Sequence, residues 1–172
     1  MNRFLLLVGP SGSGKTTVQE VLRREYGLKP LDSYTSREPR TPNERGHLFV
    51  SREELLALPD KVAFTDYHGN LYCATTAQVE ECDTYVIDLD GIKAFKSLYK
   101  GKKTPVCIAL DLSEEVRLNR MMKRGDSEEF ARSRIETDRK AFAEMRAMSD
   151  VIFHVEDKSP EELAERIASL LK

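Results

Sequence analysis

The chain has 172 residues, which is enough for one domain with a substantial hydrophobic core. Hydrophobic residues make up 40% of it and charged residues 33%, a balance that excludes a disordered chain. The formal net charge is −2, so no overall basic field attracts the chain to nucleic acid or to a membrane. Neither partner is expected.

The three cysteines of the sequence, Cys73, Cys82 and Cys107, lack the spacing of a metal or redox site. An odd number of cysteines without a disulfide framework indicates reduced thiols and predicts a cytoplasmic protein. No apolar run approaches the length needed to span a bilayer, and the apolar run before Gly9 is too short for a signal peptide.

The strongest motif follows the first predicted strand. Phe4–Val8 is an unbroken apolar run, as expected of a parallel strand that is buried on both faces. The next residues match Gly-x-x-x-x-Gly-Lys-[Ser/Thr], and apolar residues at helical spacing then continue to a C-cap at Gly27. Glycines let successive backbone N–H groups face a phosphate, and the positive end of the helix strengthens this anion site. Lys15 is placed at the β- and γ-phosphates and Thr16 at Mg²⁺. The predicted nucleotide-phosphate site consists of Gly9, Pro10, Ser11, Gly12, Ser13, Gly14, Lys15, Thr16 and Thr17.

A second anion site is indicated by the residues that follow the first helix. Residues 28–33 predict a short strand or an extended connector, and the Pro- and Gly-containing stretch 33–46 predicts a loop. That loop contains Arg37, Arg40 and Arg45, whose guanidinium forks are suited to two-point binding of phosphate. On its own, such a pattern more often marks a solvated basic loop.

The next part of the chain departs from a regular alternation of strands and helices. Its turn-forming residues divide it into short elements, separate from the main sheet. The predicted elements are a strand at residues 47–50, a helix from the Ser51 N-cap to about Pro59, a hairpin of residues 62–67 and 71–72, and a short helix from Thr75 or Thr76 to about Glu81.

Two carboxylates lie at the end of the next predicted strand, Thr84–Asp90. Ligands of open α/β sheets bind at the carboxyl ends of the strands, where a Mg²⁺-organising aspartate is expected. This position favours a functional role for Asp88. Asp90 fits such a role too, but Asp90 and Gly91 also fit a simple turn into the helix predicted at residues 92–100.

Two arginine-bearing helices, joined by a hinge that contains Gly125, are predicted in the second half of the chain. The first begins at the Ser113 N-cap and places Arg117, Arg120 and Arg124 on adjoining positions of one face. The second, from about Glu128 to Met148, carries Arg132, Arg134 and Arg139 opposite the apolar residues Ile135, Phe142 and Met145. Such a pair predicts a mobile lid, although a solvated helix pair with internal ion pairs explains most of these charges equally well.

Strands that alternate with helices predict an α/β fold with a parallel sheet and right-handed crossovers. The remaining elements are strands at residues 104–110 and 151–155 and a last helix that begins at Ser159 and Pro160. The expected fold is therefore a parallel sheet flanked by helices, interrupted at about residues 32–82 by short strands and a hairpin.

These residues resemble the guanylate kinase family of P-loop nucleoside monophosphate kinases, in register over most of the chain. Beyond the phosphate loop, the most specific match is Ser33-x-Thr35-Ser36-Arg37-x-Pro39-Arg40. Further matches are Phe49–Leu55, Gly69–Tyr72, Asp88-x-Asp90, Leu118–Gly125 and Ser133–Ile135. The resemblance implies phosphoryl transfer from ATP, with Mg²⁺, to a nucleoside monophosphate, with GMP or dGMP as the favoured acceptor. It does not imply an oligomeric state.

The resemblance also implies the fold class, a P-loop NTPase-type parallel sheet of about five strands that is flanked by helices and has a small monophosphate-binding excursion and an arginine-bearing lid. It further implies a division of the chain and roles for particular side chains. A single domain would have its core at residues 1–32, 83–124 and 148–172, a monophosphate-binding excursion at about 33–82, and a lid at about 125–147. Lys15, Arg120 and Arg134 would stabilise the transferring phosphoryl group, Asp88 would organise Mg²⁺, and Arg124 would help to bind ATP. The implied acceptor-binding residues are Ser33 at the base, Arg37, Arg40 and Tyr72 at the monophosphate, and His47, Asp66 and Asp90.

The base-reading region departs from the family pattern. His47 lies where a phosphate-binding tyrosine is expected, and Ala63 lies where the family has a glutamate that reads the guanine edge. Asp66, or Thr65 after a slip in the alignment, is the nearest polar substitute. The residues that bind phosphate are therefore kept better than those that read the base.

Two other functions remain open at this point. A guanylate-kinase-like module that has lost catalysis would bind a protein or phosphopeptide, but the complete phosphate loop and the lid arginines argue against it. A P-loop kinase for another small phosphorylated acceptor, such as a sugar phosphate, would keep the same phosphate-binding residues.

Overall fold

The computed structural model describes residues 2–171 and contains two four-stranded sheets, one of them entirely parallel. None of the helices in this range is both long and apolar enough to cross a membrane. In chain order the elements are β1 (Arg3–Val8), α1 (Lys15–Tyr26), β2 (Ser33–Thr35), β3 (His47–Phe49), α2 (Arg52–Ala57), β4 (Lys61–Tyr67), β5 (Asn70–Thr75), α3 (Thr76–Glu81), β6 (Thr84–Val86), α4 (Leu89–Leu98), β7 (Thr104–Asp111), α5 (Glu114–Lys123), α6 (Glu128–Ala147), β8 (Val151–His154) and α7 (Pro160–Ser169).

The parallel sheet has the strand order β6-β1-β7-β8, with β1 and β7 as its inner strands. Phe4, Leu6 and Val8 of β1 enter one core with residues of α4 and α6, whereas Leu5 and Leu7 enter a second core with α1 and α7. All five side chains are fully buried. The unbroken apolar run that predicted this strand is therefore explained, because successive side chains of a strand point to opposite faces.

The second sheet has the strand order β3-β2-β5-β4 and is formed within the predicted excursion. Its β2–β3 pair is parallel and its other two pairs are antiparallel. Leu71 and Cys73 of β5 pack with Leu55 of α2 on one face of this sheet. Ala74 and Val62 face the other way, into the core shared with α4.

The α/β class and the helix-flanked parallel sheet are confirmed, with four parallel strands rather than about five. The segment predicted as a short strand or connector, residues 28–33, forms a single parallel bridge from Pro30 to Thr84. Proline has no backbone N–H with which to continue a ladder, so this segment lies beside β6 without becoming a full strand.

Three predicted boundaries were wrong. The strand predicted from Thr84 to Asp90 ends at Val86, because the side chain of Asp88 caps α4: its Oδ1 accepts the backbone N–H of Gly91 at 2.7 Å. The helix consequently begins at Leu89, before the predicted start at residue 92. The first residues of the predicted loop 33–46 form β2.

A bulge divides β4 into two parts. Val62 pairs with Ala74 and Thr65 pairs with Tyr72, so β4 contains one residue more than β5 between these pairs. Ala63 lies in the bulge with a φ of 50°, in the left-handed region. An extra residue reverses the alternation of side chains along the strand, and this decides which polar residue faces the candidate site.

Candidate functional site

The phosphate loop lies between β1 and α1 and depends on close backbone approaches. A Cβ atom at Gly9 would lie 2.9 Å from the carbonyl oxygen of Leu110, and one at Gly12 would lie 3.1 Å from that of Arg117. Gly14 is the N-cap of α1 in a left-handed conformation, and no side chain caps the helix. The amides at the start of α1 are therefore left for an anion, as the motif predicts.

Lys15 turns back over this loop. Its Nζ donates to the carbonyl oxygens of Gly9 at 2.7 Å and Pro10 at 3.0 Å, and to Ser13 Oγ at 3.4 Å. Burial lowers the pKa of Lys15 to about 8, while the carboxylate of Asp138 acts in the opposite direction. The ammonium is therefore poorly solvated and would gain from an incoming phosphate.

The three predicted lid arginines differ in their positions. Arg134 of α6 donates to Ser11 Oγ at 3.0 Å, and Arg120 of α5 lies near the loop, 3.9 Å from the place of a Cβ atom on Gly14. Arg124 is paired with Asp126 at 2.6 Å and is largely exposed. The structure thus brings Arg120 and Arg134 to the loop, and it holds Arg124 in a local ion pair.

Two residues at the loop were not predicted to be part of the site. The backbone N–H of Ser11 donates to Oδ2 of Asp138 at 2.7 Å, and Arg117 donates to the same carboxylate oxygen at 3.1 Å. Arg117 also donates from Nε to the carbonyl oxygen of Ser11 at 2.9 Å, and only 2% of this residue is exposed. Arg117 therefore belongs to the structure of the loop rather than to a solvated helix face.

The structure has two candidate anion sites, which we call cradles. The first is the phosphate loop, and the second, the acceptor cradle, is the loop after β2 that contains Arg37 and Arg40. The guanidinium of Arg37 donates to both carboxylate oxygens of Glu44, at 2.6 and 3.2 Å, and lies 5.4 Å from the centre of the Phe49 ring. The backbone N–H of Arg40 donates to the same carboxylate at 2.6 Å, whereas the Arg40 side chain is exposed. The hydrogen bonds from Arg37, which has the largest effect, and from the Arg40 backbone lower the pKa of Glu44 to about 2. Glu44 was not among the predicted site residues, although its position inside the arginine loop was a signal.

One face of the second sheet lies next to this cradle. Thr35, Phe49, Tyr72 and Thr65 are in register across its four strands. Residues paired in this way point to the same face, so they form one row of side chains. On the same face, His47 Nδ1 lies 2.9 Å from Ser33 Oγ, and the His47 ring packs edge-on against Tyr72.

The predicted role of Asp66 requires correction. Asp66 pairs with Leu71 and therefore lies on the opposite face of the sheet from Tyr72. Its Oδ1 accepts the backbone N–H of Gly69 at 2.9 Å, which stabilises the hairpin turn. Thr65 takes the position on the site face. Asp90 is exposed in the first turn of α4, where its charge stabilises the helix, and its role at the acceptor stays a prediction.

The phosphate loop lies at the carboxyl edge of the parallel sheet, and the chain enters β2, which leads to the Arg37 loop, beside the same edge. The phosphate loop follows Val8 at the end of β1, and Asp88 follows β6 at the same edge, since Ile87 N–H donates to the carbonyl oxygen of Leu7. Because Pro30 pairs in parallel with Thr84, the chain after Pro30 runs alongside β6 toward the carboxyl edge, and β2 begins at Ser33, near the end of β6. This is where ligands of open α/β sheets bind.

The fold and the loop define a P-loop nucleotide-binding protein of the α/β class. The family model described as "Guanylate kinase" matches residues 1–172. The chain belongs to the guanylate kinase family, as its sequence predicts.

Individual relatives agree with this assignment. The chain is 33% identical over 108 residues to the guanylate kinase of Geobacter metallireducens, in an alignment that covers 56% of this chain and 53% of that relative. It is 27% identical over 183 residues to the guanylate kinase of Prochlorococcus marinus, covering 99% of this chain and 97% of the relative. The crystal structure of guanylate kinase from Anaplasma phagocytophilum superimposes with a TM-score of 0.60 at 22% identity, covering 99% of this chain and 84% of that one, and shows the same fold.

Proposed function

We propose that this protein transfers the γ-phosphoryl group of ATP to GMP or dGMP, releasing ADP and the nucleoside diphosphate. The observation that supports this most directly is the presence of two candidate anion sites, the phosphate loop with Lys15 and the loop with Arg37, which follows a strand that begins beside the end of β6. A kinase that acts on a monophosphate needs a cationic site for each of its two anionic substrates. The relatives named guanylate kinase support the guanine nucleotide as acceptor.

On the donor side, the backbone amides of residues 9–17 would hold the phosphates of ATP. Lys15 would contact the β- and γ-phosphates, as the geometry of its loop allows. Arg120 and Arg134 already lie at the loop and would neutralise charge on the transferring group. Arg124 would join them after release from Asp126, an exposed ion pair of small stability.

On the acceptor side, Arg37 would bind the monophosphate through the two nitrogens that now contact Glu44. Arg40, Tyr72 and His47 would complete this subsite. The base would lie on the face of the second sheet that carries Ser33 and Thr65.

The transfer needs no covalent enzyme intermediate. An oxygen of the acceptor phosphate attacks the γ-phosphorus of ATP, the bond from that phosphorus to the β–γ bridging oxygen breaks, and ADP leaves. The two cradles would place the attacking oxygen and the leaving oxygen in line and would supply cations that are already in position. The acceleration of the transfer would then come from orientation and charge neutralisation. Helices α5 and α6 would exclude water, which would otherwise compete as acceptor.

The residues at the carboxyl edge fit Mg²⁺. Thr16 offers a hydroxyl and Asp88 a carboxylate, which are oxygen ligands of the type that Mg²⁺ prefers, and both are exposed. Capping of α4 engages Oδ1 of Asp88 and leaves its second carboxylate oxygen for a metal-bound water. Mg²⁺ supplies neutralisation of the charge on the phosphate oxygens when it is bound with ATP.

We also propose the division of the chain implied by the resemblance: a core of 1–32, 83–124 and 148–172, an excursion of about 33–82 and a lid of about 125–147. The second sheet within the excursion supports it. A cytoplasmic location is supported by the cysteines, which are free and buried. Burial raises the pKa of all three thiols, that of Cys73 to about 11, and so keeps them protonated and unreactive.

The proposal is tested with purified protein, ATP and Mg²⁺, and a panel of nucleoside monophosphates and sugar phosphates, with ADP release and product formation measured together. We expect diphosphate from GMP and dGMP, and loss of that product in Lys15→Met. Product from a sugar phosphate alone would identify a different kinase. No product from any acceptor would favour a binding module.

A further inference from the structure

The carboxylate of Asp138, a residue of α6, contacts the phosphate loop. Oδ2 of Asp138 accepts the backbone N–H of Ser11, from a position 127 residues further along the chain, at 2.7 Å. The Asp138 side chain is 16% exposed and lies within the helix that carries Arg134. Both residues contact Ser11, since they are four positions apart on α6 and so share a face.

The position of Asp138 on α6 is unusual for an acidic residue. Ala131, Ile135, Phe142 and Met145 are the apolar residues of the packing face of this helix, and Asp138 falls between them at helical spacing. A charged residue on a packing face is costly unless it is paired. Here the partners are Arg117, at 3.1 Å, and an amide of the phosphate loop.

The surroundings of this carboxylate are those that a phosphate would use. Arg117, Arg134 and Lys15 all lie at the loop, and the pKa of Lys15 responds to Asp138 as to a neighbouring negative charge. Oδ2 of Asp138 accepts both the Ser11 amide and the Arg117 guanidinium, and amide and guanidinium groups are also the donors that bind phosphate oxygens. One carboxylate offers a single negative charge, whereas the triphosphate of ATP offers several.

We propose that Asp138 is an intramolecular competitor of the donor phosphates, and that ATP binds only after this side chain leaves the Ser11 amide. The inference rests on the proposed kinase function. Binding then selects molecules in which α6 or the Asp138 side chain has moved, so the measured affinity is reduced by the fraction of molecules that are competent. If the carboxylate fills the loop in about nine of ten molecules, the apparent affinity for ATP falls about tenfold.

The test compares the Kd for ATP, measured calorimetrically without acceptor, among wild type, Asp138→Asn and Asp138→Ala. Asparagine keeps the shape but removes the charge, and alanine removes the competitor. We expect tighter binding in that order, reaching about tenfold for alanine, together with a lower KM for ATP. Glu136→Gln is the matched control, because it removes an exposed carboxylate of the same helix that pairs with Arg139. It should leave the Kd unchanged, whereas an equal gain in this control would show a general charge effect and overturn the proposal.

A second measurement needs no variant. In the free wild-type protein the amide proton of Ser11 should resonate downfield, as expected for a charge-assisted hydrogen bond, and it should shift when ATP replaces the carboxylate. An Asp138 variant that binds ATP no more tightly than wild type, while wild type phosphorylates GMP, would refute this inference and leave the proposed function intact. Tighter binding by the variants without any phosphorylated acceptor would support the inference and refute the proposed function.

Discussion

Replacing Arg37 by alanine removes the guanidinium on which the acceptor cradle depends. This group is mostly buried, donates to both oxygens of Glu44 at 2.6 and 3.2 Å, and lies over the Phe49 ring. A phosphate bound in the same way would accept two charge-assisted hydrogen bonds. Each such bond contributes about 1.5–3 kcal/mol, so the loss is at least about 3 kcal/mol, or about a hundredfold in kcat/KM for GMP.

Lysine at the same position keeps the charge but not the planar fork. We expect Arg37→Lys to lose about tenfold, which is intermediate between wild type and alanine. The assay is the steady-state rate with GMP at saturating ATP, with the Kd for ATP measured separately. Arg45→Ala is the matched control, since Arg45 is an exposed arginine of the same loop. The reasoning fails if Arg37→Ala weakens ATP binding as much as it weakens use of GMP, or if Arg45→Ala has the same effect.

Three further predictions concern the donor loop and its neighbours. Because burial lowers the pKa of Lys15 to about 8, much of this amine is neutral in the free protein at pH 8.5, so ATP binding should take up a proton. Calorimetry in two buffers of different ionisation enthalpy measures this uptake, and Lys15→Arg should abolish it. Gly12 and Gly69 share a φ of +81°, but a Cβ atom on Gly12 would lie 3.1 Å from the carbonyl oxygen of Arg117, whereas one on Gly69 would meet open space. Gly12→Ala should therefore lower the free energy of unfolding by more than Gly69→Ala does. Urea titration of both variants measures this difference, and equal losses would contradict the effect of the contact. Asp88→Ser keeps a good N-cap but removes the carboxylate. The melting temperature should therefore stay unchanged, while the Mg²⁺ concentration needed for the half-maximal rate rises. An unchanged Mg²⁺ requirement would show that Asp88 acts only as a helix cap.

The donor loop could be predicted from the sequence because its signal is local. The strand, the glycines and the first turns of α1 follow one another within residues 3–26, and each obeys a rule of backbone geometry. Arg37 was recognisable for the same reason. Asp138 was not, because its contact with Ser11 joins residues that are distant in the sequence. The available signal was a single acidic residue within the apolar spacing of α6.

The bulge in β4 explains why the wrong polar residue was chosen in the second sheet. Counting alternate positions from Val62 places Phe64 and Asp66 on the same face. The extra residue at Ala63 reverses this order, so Thr65 faces Tyr72, and Phe64 packs with Leu55 beneath α2. The segment carries no glycine or proline that would announce a bulge, and Ala63 adopts a left-handed conformation that alanine seldom takes.

The boundary after β6 depended on a competition between two local roles of one side chain. Asp88 follows a strand, which favours a ligand-binding position, and precedes a helix, which favours a cap. In the structure its carboxylate caps α4 through Gly91, and this ended the strand earlier than hydrophobicity alone suggested. The two roles are compatible, because a cap engages one oxygen of the carboxylate.

The pairing of Arg37 with Glu44 also affects how an approaching nucleotide meets the protein. The guanidinium charge is balanced at short range before any ligand arrives, so its field is weak beyond the loop. Arg37 would then add little to the long-range steering of a nucleotide, which would come from the exposed side chains of Arg40 and Arg45. Recognition of the acceptor by Arg37 would be decided after contact, by the geometry of the fork, rather than during diffusion.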